Sequence, residues 1–262
     1  MKLQILFRSA AILLLTFFIH GCSSLGKPER PVVIATYTPV PITLDGRLDD
    51  IAWHRTPSYE LVHSAGQFDF KPEKSLREFR KGVVEPGRVK VLWDEKYLYV
   101  GFEFTDRDIL DHGKADQTML YQLSDTAEVF LKPMNQTWYW EMYVTPNNHS
   151  TSIFFPGRGL KGMIDIFTKE PAIKGMRRAA FSKGTVNNSW DQDKRWTAEI
   201  AIPRAELGMA GEKLDPDVPW LIFFARYNFG RYLPWKENSA FPFQEKFDYH
   251  VHEDYARLKM VK

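Results

Sequence analysis

The chain has 262 residues, with 35 Lys and Arg against 33 Asp and Glu, and aromatic side chains make up 15% of it. Near-balanced charge argues against nucleic acid, which calls for a basic excess, and the length admits one large sandwich or two small domains. The only cysteine is Cys22, so the rest of the chain has no disulfide, thiolate nucleophile or cysteine zinc ligand to offer.

Residues 1–21 read as an export signal: Lys2 and Arg8 give a basic start, Ala10 to Ile19 an apolar stretch, and Gly21 a small residue before Cys22. The apolar stretch is too short for a bilayer span, which needs about 20 such residues. The sequence Ile19-His-Gly-Cys22 looks like a bacterial lipoprotein cleavage box, with Cys22 as the acylated first residue; a simple secretory peptide with an incidental cysteine is the plainer alternative. Acyl chains gain about 0.8 kcal/mol per buried methylene, so more than one holds a protein on a membrane without a spanning helix. The expected location is the bacterial cell envelope, and with Ser23 and Ser24 after the cysteine, the outer membrane if the cell is Gram-negative. Cleavage removes Lys2 and Arg8 and no acid, which leaves 33 basic against 33 acidic side chains. Pro28, Pro31, Pro39 and Pro41 suggest that residues 22–41 form a stiff tether, followed by one domain over 42–262.

Along that domain the patterning is that of an all-β, antiparallel β-sandwich with long loops and one or two short helices. Leu48 to Trp53 suits one helical turn after the Asp45-Gly46 turn. Val89 to Trp93 and the alternating run Leu98, Val100, Phe102, Phe104 predict a hairpin across Asp94-Glu95-Lys96. Further strands are expected at Thr126–Leu131, Tyr139–Val144, Trp196–Ile202, Leu221–Tyr227 and Ala256–Met260. Pro203 to Leu207 suits a short helix with proline at its first position. Residues 146–190, rich in Gly, Asn, Lys and Pro, read as long loops with one or two short strands, Ser152–Phe155 among them.

Strand alternation also sorts side chains by face. Ala127, Val129 and Leu131 point one way, which sends Thr126, Glu128 and Phe130 the other; likewise Trp140, Met142 and Val144 oppose Tyr139, Glu141 and Tyr143. If these strands are neighbours, carboxylates and phenols share one face. Sugars ask for that mixture, because ring C–H faces pack on aromatics while hydroxyls need acceptors and donors. A solvated strand face with half-exposed tyrosines is the competing interpretation.

Three ordered stretches resemble the family 9-like carbohydrate-binding modules, a group of secreted β-sandwiches: Ile42-Thr-Leu-Asp-Gly-Arg-Leu-Asp-Asp-Ile-Ala-Trp53, the hairpin from Val89 to Phe104, and Ser124-Asp-Thr-Ala-Glu-Val-Phe-Leu131. The resemblance covers most of residues 40–262 and implies non-catalytic binding of a mono- or polysaccharide in support of polysaccharide capture or breakdown. It also implies a sugar clamped between two rings beside a hydrogen-bonding glutamate. Carried over, the glutamate is Glu128 in the Ser124-Asp125 strand, the rings are Tyr121 and Tyr249, and Tyr143 stands where the family has an arginine. Asp125 joins this expected set. Tyrosines in place of tryptophan reduce stacking area, and Tyr143 removes a charged donor.

Other constellations carry weaker expectations. His250 and His252, with Glu253 or Asp254, have the spacing of a partial metal site, or belong to a loop beside the sugar site. The family binds calcium, for which Asp45, Asp49, Asp50, Asp106, Asp108 and Asp111 are the candidate sources; turn and capping roles compete. The sugar site itself requires no cofactor. A haem-binding or redox domain of similar fold would draw on Met142 with His112 or Met119. A glycoside hydrolase would need a pair such as Glu128 and Glu141. No phosphate loop, Gly-x-Ser-x-Gly elbow or His-Glu-x-x-His motif is present.

Overall fold

A computed structural model describes residues 29–63, 82–158, 169–208 and 211–262. The export segment and Cys22 lie outside the described residues. Twelve strands follow in chain order: β1 Val32–Tyr37, β2 Ser58–Glu60, β3 Gly87–Trp93, β4 Tyr97–Thr105, β5 Thr126–Pro133, β6 Tyr139–Val144, β7 Ser150–Phe155, β8 Arg177–Lys183, β9 Arg195–Pro203, β10 Trp220–Asn228, β11 Glu237–Phe241 and β12 Ala256–Val261. The hydrogen-bonded path runs β7-β6-β5-β10-β12-β1-β3-β4-β9-β8, with β11 on β10 and β2 on β3. The path doubles back on itself, since Phe102 of β4 and Phe224 of β10 meet edge to face at 6.3 Å although three strands separate them. Two layers result, β7-β6-β5-β10 over β3-β4-β9-β8, with Val91, Val100, Trp196, Val129, Met142 and Ile222 in the core between them.

All the expected strands are present, most extended by one or two residues because the flanking backbone continues the ladder. The short helical turns fall at Ile51–His54 and Arg204–Leu207 (α1), with Pro203 as the N-cap instead of the first helical residue. One boundary is corrected. The stretch up to Pro41 is not all tether: Val32–Tyr37 is a strand of the sheet, running parallel to both β12 and β3, and it closes the seam between the two layers. Its neighbouring prolines disguise it, yet Val33 and Ala35 are fully buried.

The opening motif is held from a distance. Glu199 on β9 accepts the backbone N–H groups of Asp45 and Gly46, at 3.1 and 2.8 Å, and the indole N–H of Trp53 at 2.8 Å. Gly46 has φ +81° and lies so close to β8 that a Cβ would sit 2.5 Å from the Ala180 carbonyl carbon. Only glycine combines that dihedral with that approach.

Candidate functional site

The β5, β6 and β10 registers decide what shares the outer face of their layer. Glu128 lies opposite Tyr143 on β6 and Ala225 on β10, and Phe130 lies opposite Glu141 and Phe223. Side chains paired across an antiparallel ladder point to one side, so Glu128, Phe130, Glu141, Tyr143 and Phe223 all face away from the main core. A second apolar cluster covers them, built from Leu120, Tyr139, Phe155, Tyr249 and Tyr255. Within this cover a cavity of about 180 Å³ is lined by Tyr121, Glu128, Phe130, Glu141, Tyr227, Phe247, Asp248, Tyr249 and His250.

Tyr121, Glu128 and Tyr249 therefore meet at one cavity, although they come from the Leu120–Gln122 turn, β5 and the loop before β12. Tyr227 joins the two expected rings: its centroid lies 5.3 Å from that of Tyr121 and 5.4 Å from that of Tyr249. The rings form a continuous aromatic wall. Tyr249 is fixed from behind, because the Tyr255 hydroxyl donates to its carbonyl at 2.7 Å and its ring packs on Phe130 and Phe223.

Tyr143 and Asp125 do not line the cavity. Tyr143 is fully buried, and its hydroxyl donates to the Thr118 carbonyl at 2.8 Å, where Thr151 donates too. It positions the turn that carries Tyr121, whose ring it meets edge on at 6.2 Å. Asp125 is an odd number of residues from Glu128, so alternation sends it to the other face. There it is fully buried and accepts the N–H groups of Leu110 and Phe229, both at 2.7 Å. Burial, reinforced by Asp106, holds its carboxyl well above the usual range. Sequence reasoning missed Tyr227, Phe247 and Asp248. For Tyr227 the signal was present, since its parity with Phe223 and Ala225 on one strand places it on the outer face.

The phenols of Tyr227 and Tyr249 stay neutral. Burial raises Tyr227 and Tyr249 well above the ordinary tyrosine range, and the charge of Glu128 adds to both shifts. Lys236 stands beside the cavity with its ammonium 4.7 Å from the Tyr227 ring centroid and 5.5 Å from that of Phe229. Burial lowers its pKa, and Glu128 pulls it back up. His250 shares a hydrogen bond of 2.8 Å between Nδ1 and the Tyr139 hydroxyl.

Most of the remaining candidates are engaged elsewhere in the fold. His252 is buried against Tyr139, its pKa pushed down to about 4 by burial and then by Lys132 and Arg158. Those cations oppose a metal ion beside it, and Glu253 is engaged by Arg158 at 3.0 Å. Of the six aspartates, Asp45 accepts the backbone N–H of Arg47, Asp50 accepts that of Thr43, Asp49 is exposed, and Asp106 and Asp108 are salt-bridged to Arg226 and Arg231. Asp111 takes Ser124, Gly113 and Asn147. Among the described residues no group of three or more His, Cys, Asp or Glu is arranged to hold a metal. Met142 packs in the main core, whereas Met119 and His112 are exposed, with Met119 on the turn over the outer face. They do not converge into a haem pocket. Glu128 and Glu141 both line the cavity as diagonal neighbours on adjacent strands. A larger hollow of about 300 Å³ lies between Thr36–Ile42 and Asp50–Arg55, but its walls are mainly prolyl and aliphatic.

Residues 44–155 match the family model for carbohydrate family 9 binding domain-like sequences. No curated protein matches the chain. Among solved structures, a Bacteroides uniformis protein provisionally described as carbohydrate-binding is similar at TM-score 0.63 and 8% identity, covering 89% of this chain and 100% of its own. A family 9 carbohydrate-binding module from Caldicellulosiruptor kristjanssonii is similar in two complexes. With cellotriose the TM-score is 0.52 at 14% identity, covering 87% of this chain and 93% of the module. With glucose it is 0.53 at 14%, covering 88% and 95%. At these identities the likeness is one of fold.

Proposed function

From the family 9 binding-domain-like region over residues 44–155, set in a β-sandwich of the matching fold, we propose that the protein binds carbohydrate without catalysing a reaction on it. The observation that carries this reading is the convergence of Tyr121, Glu128 and Tyr249 on one cavity, together with Tyr227, Glu141 and His250. Rings supply faces for pyranose C–H groups, and carboxylates, phenols and imidazole supply partners for hydroxyls. The volume of about 180 Å³ is below the ~300–1,000 Å³ typical of drug-sized ligands, which suits a single sugar ring. Such contacts support Kd values on the order of 1 mM to 1 μM.

The export signal and lipoprotein-like box further suggest anchoring through acylated Cys22 in a bacterial envelope, where the domain would serve polysaccharide capture or breakdown. Metabolic labelling with a fatty-acid analogue tests the anchor, and Cys22→Ser should abolish the label. For the binding site, a glycan array followed by calorimetry on the full chain in a sugar-free detergent is decisive. Binding that disappears in Glu128→Ala is expected; a protein that retains no glycan at all would refute the proposal.

A further inference from the structure

The described lining of the cavity includes no lysine or arginine, whereas each hydroxyl oxygen of a sugar asks for a donor as well as an acceptor. Lys236 stands at its border. Asn238 lies opposite Tyr227 in the pairing of β11 with β10, and Lys236, two residues before it, keeps the same parity, so its side chain shares the outer face with Tyr227. There its ammonium lies 4.7 Å from the centroid of the Tyr227 ring, which lines the cavity, and 5.5 Å from that of Phe229. Burial lowers its pKa, and the charge of Glu128, a second lining group, raises it, so the ammonium and that carboxylate are within electrostatic reach. Ring faces hold a cation without using up its N–H donors on an oxygen or nitrogen. Among the described residues the ammonium makes no hydrogen bond to such an acceptor, and a lysine brings three donors.

We propose, resting on the reading of this cavity as a sugar site, that Lys236 is its charged hydrogen-bond donor, giving an N–H to a hydroxyl or ring oxygen of the bound sugar. The four-carbon stem is flexible, so the ammonium can move along the Tyr227 face toward the cavity while the stem stays packed. A hydrogen bond from a charged group is the stronger kind, worth about tenfold or more in affinity. Lys236 thereby sets which hydroxyl of the ligand is read, while the rings set only that a sugar face is present.

Calorimetry on the full chain in a sugar-free detergent tests this, with glucose, galactose, mannose and xylose as probes, followed by the monodeoxy derivatives of whichever binds best. Lys236→Met keeps the stem over Tyr227 and removes the donors; it should lose affinity about tenfold while its thermal midpoint moves by no more than a few degrees. Lys236→Arg should stay within about threefold of the wild type, since guanidinium also donates and stacks on rings. In the wild type, deleting the hydroxyl that Lys236 reads should cost about tenfold, and in Lys236→Met the same deletion should cost nothing further. A methionine variant that binds as the wild type does overturns this inference and leaves the sugar-site reading intact. So does one in which every deoxy penalty persists, because the lysine would then act only by packing on the wall. A wild type that binds none of the four sugars refutes both readings.

Discussion

The carboxylate of Glu199 accepts the indole N–H of Trp53 at 2.8 Å across 146 residues of chain. With its two further bonds to the Asp45-Gly46 turn, this one side chain pins the opening motif onto β9. Glu199 is almost fully buried, so losing its charge leaves donors short of an acceptor inside the protein. Glu199→Gln should cost about 1–3 kcal/mol, and Trp53→Phe a similar amount. Because both changes break one network, the double variant should lose clearly less than the two single losses added together. Urea denaturation of the four proteins checks it, and additive losses would show that the bond is not a shared latch.

This network also shows how much could be read from the chain and how much could not. Alternation in Thr126–Leu131 and Tyr139–Val144 correctly separates core from outer face, because the side-chain period of a strand is two and needs no tertiary information. The same rule, applied to Asp125, would have removed it from the expected site. Strand β8 was expected only as an unplaced short strand within residues 146–190 and β11 was not expected, for opposite reasons. Arg177–Lys183 is an edge strand with most residues half-buried, so its apolar pattern is weak. Glu237–Phe241 is buried but polar: Glu237 accepts the backbone N–H groups of Val84 and Glu85 at 2.6 and 3.0 Å. Tyr143 could be assigned to the right face but not to its role, since its hydroxyl is committed to Thr118, 25 residues away.

Three buried groups, two carboxyls and one imidazole, should give stability opposing pH dependences. Burial pushes Asp106 up to about 6, with Arg226 opposing and Glu85 reinforcing, and Asp125 beside it is raised too. A carboxyl that holds its proton more tightly in the folded state adds stability as pH falls from about 6 toward 4. His252, depressed to about 4, does the reverse: the unfolded chain takes up its proton first, so stability drains as pH falls from about 6.5 toward 4. The two slopes offset in the wild type. Thermal melts across that window should therefore fall more steeply toward low pH in Asp125→Asn, and should rise toward low pH in His252→Phe. The same slope in all three proteins would contradict the assignment.

Arg226 is fully buried, and its guanidinium donates to Asp106 at 2.9 Å, to the Glu85 carbonyl at 2.8 Å and to Asn228 at 2.9 Å, above the Phe104 ring. Lysine has no planar fork to reproduce three such bonds and a ring stack. Arg226→Met strands the buried carboxylate of Asp106 and should cost about 3–5 kcal/mol, with Arg226→Lys recovering only part of it. Denaturant midpoints decide, and a lysine variant as stable as the wild type would show that charge alone suffices there.

The aromatic wall allows binding and folding to be separated experimentally. Tyr249 is nearly buried and packs on Phe130, Phe223, Tyr227 and Phe247, so Tyr249→Ala should cost about 3–5 kcal/mol and confuse the two readouts. Tyr121 is only half-buried and sits on a short turn, with its ring against Tyr227 and Tyr143. Tyr121→Ala should therefore weaken sugar affinity about tenfold, the scale of one lost ring face, while changing stability by less than about 2 kcal/mol. Tyr143→Phe, which loses only the bond to Thr118, should give an intermediate loss of affinity, because the turn carrying Tyr121 is then held at that carbonyl by Thr151 without Tyr143, although the cavity keeps every lining group. Titrating both variants with the glycan selected by the array settles the point: unchanged affinity in Tyr121→Ala would take that ring out of the site, and unchanged affinity in Tyr143→Phe would remove the positioning role.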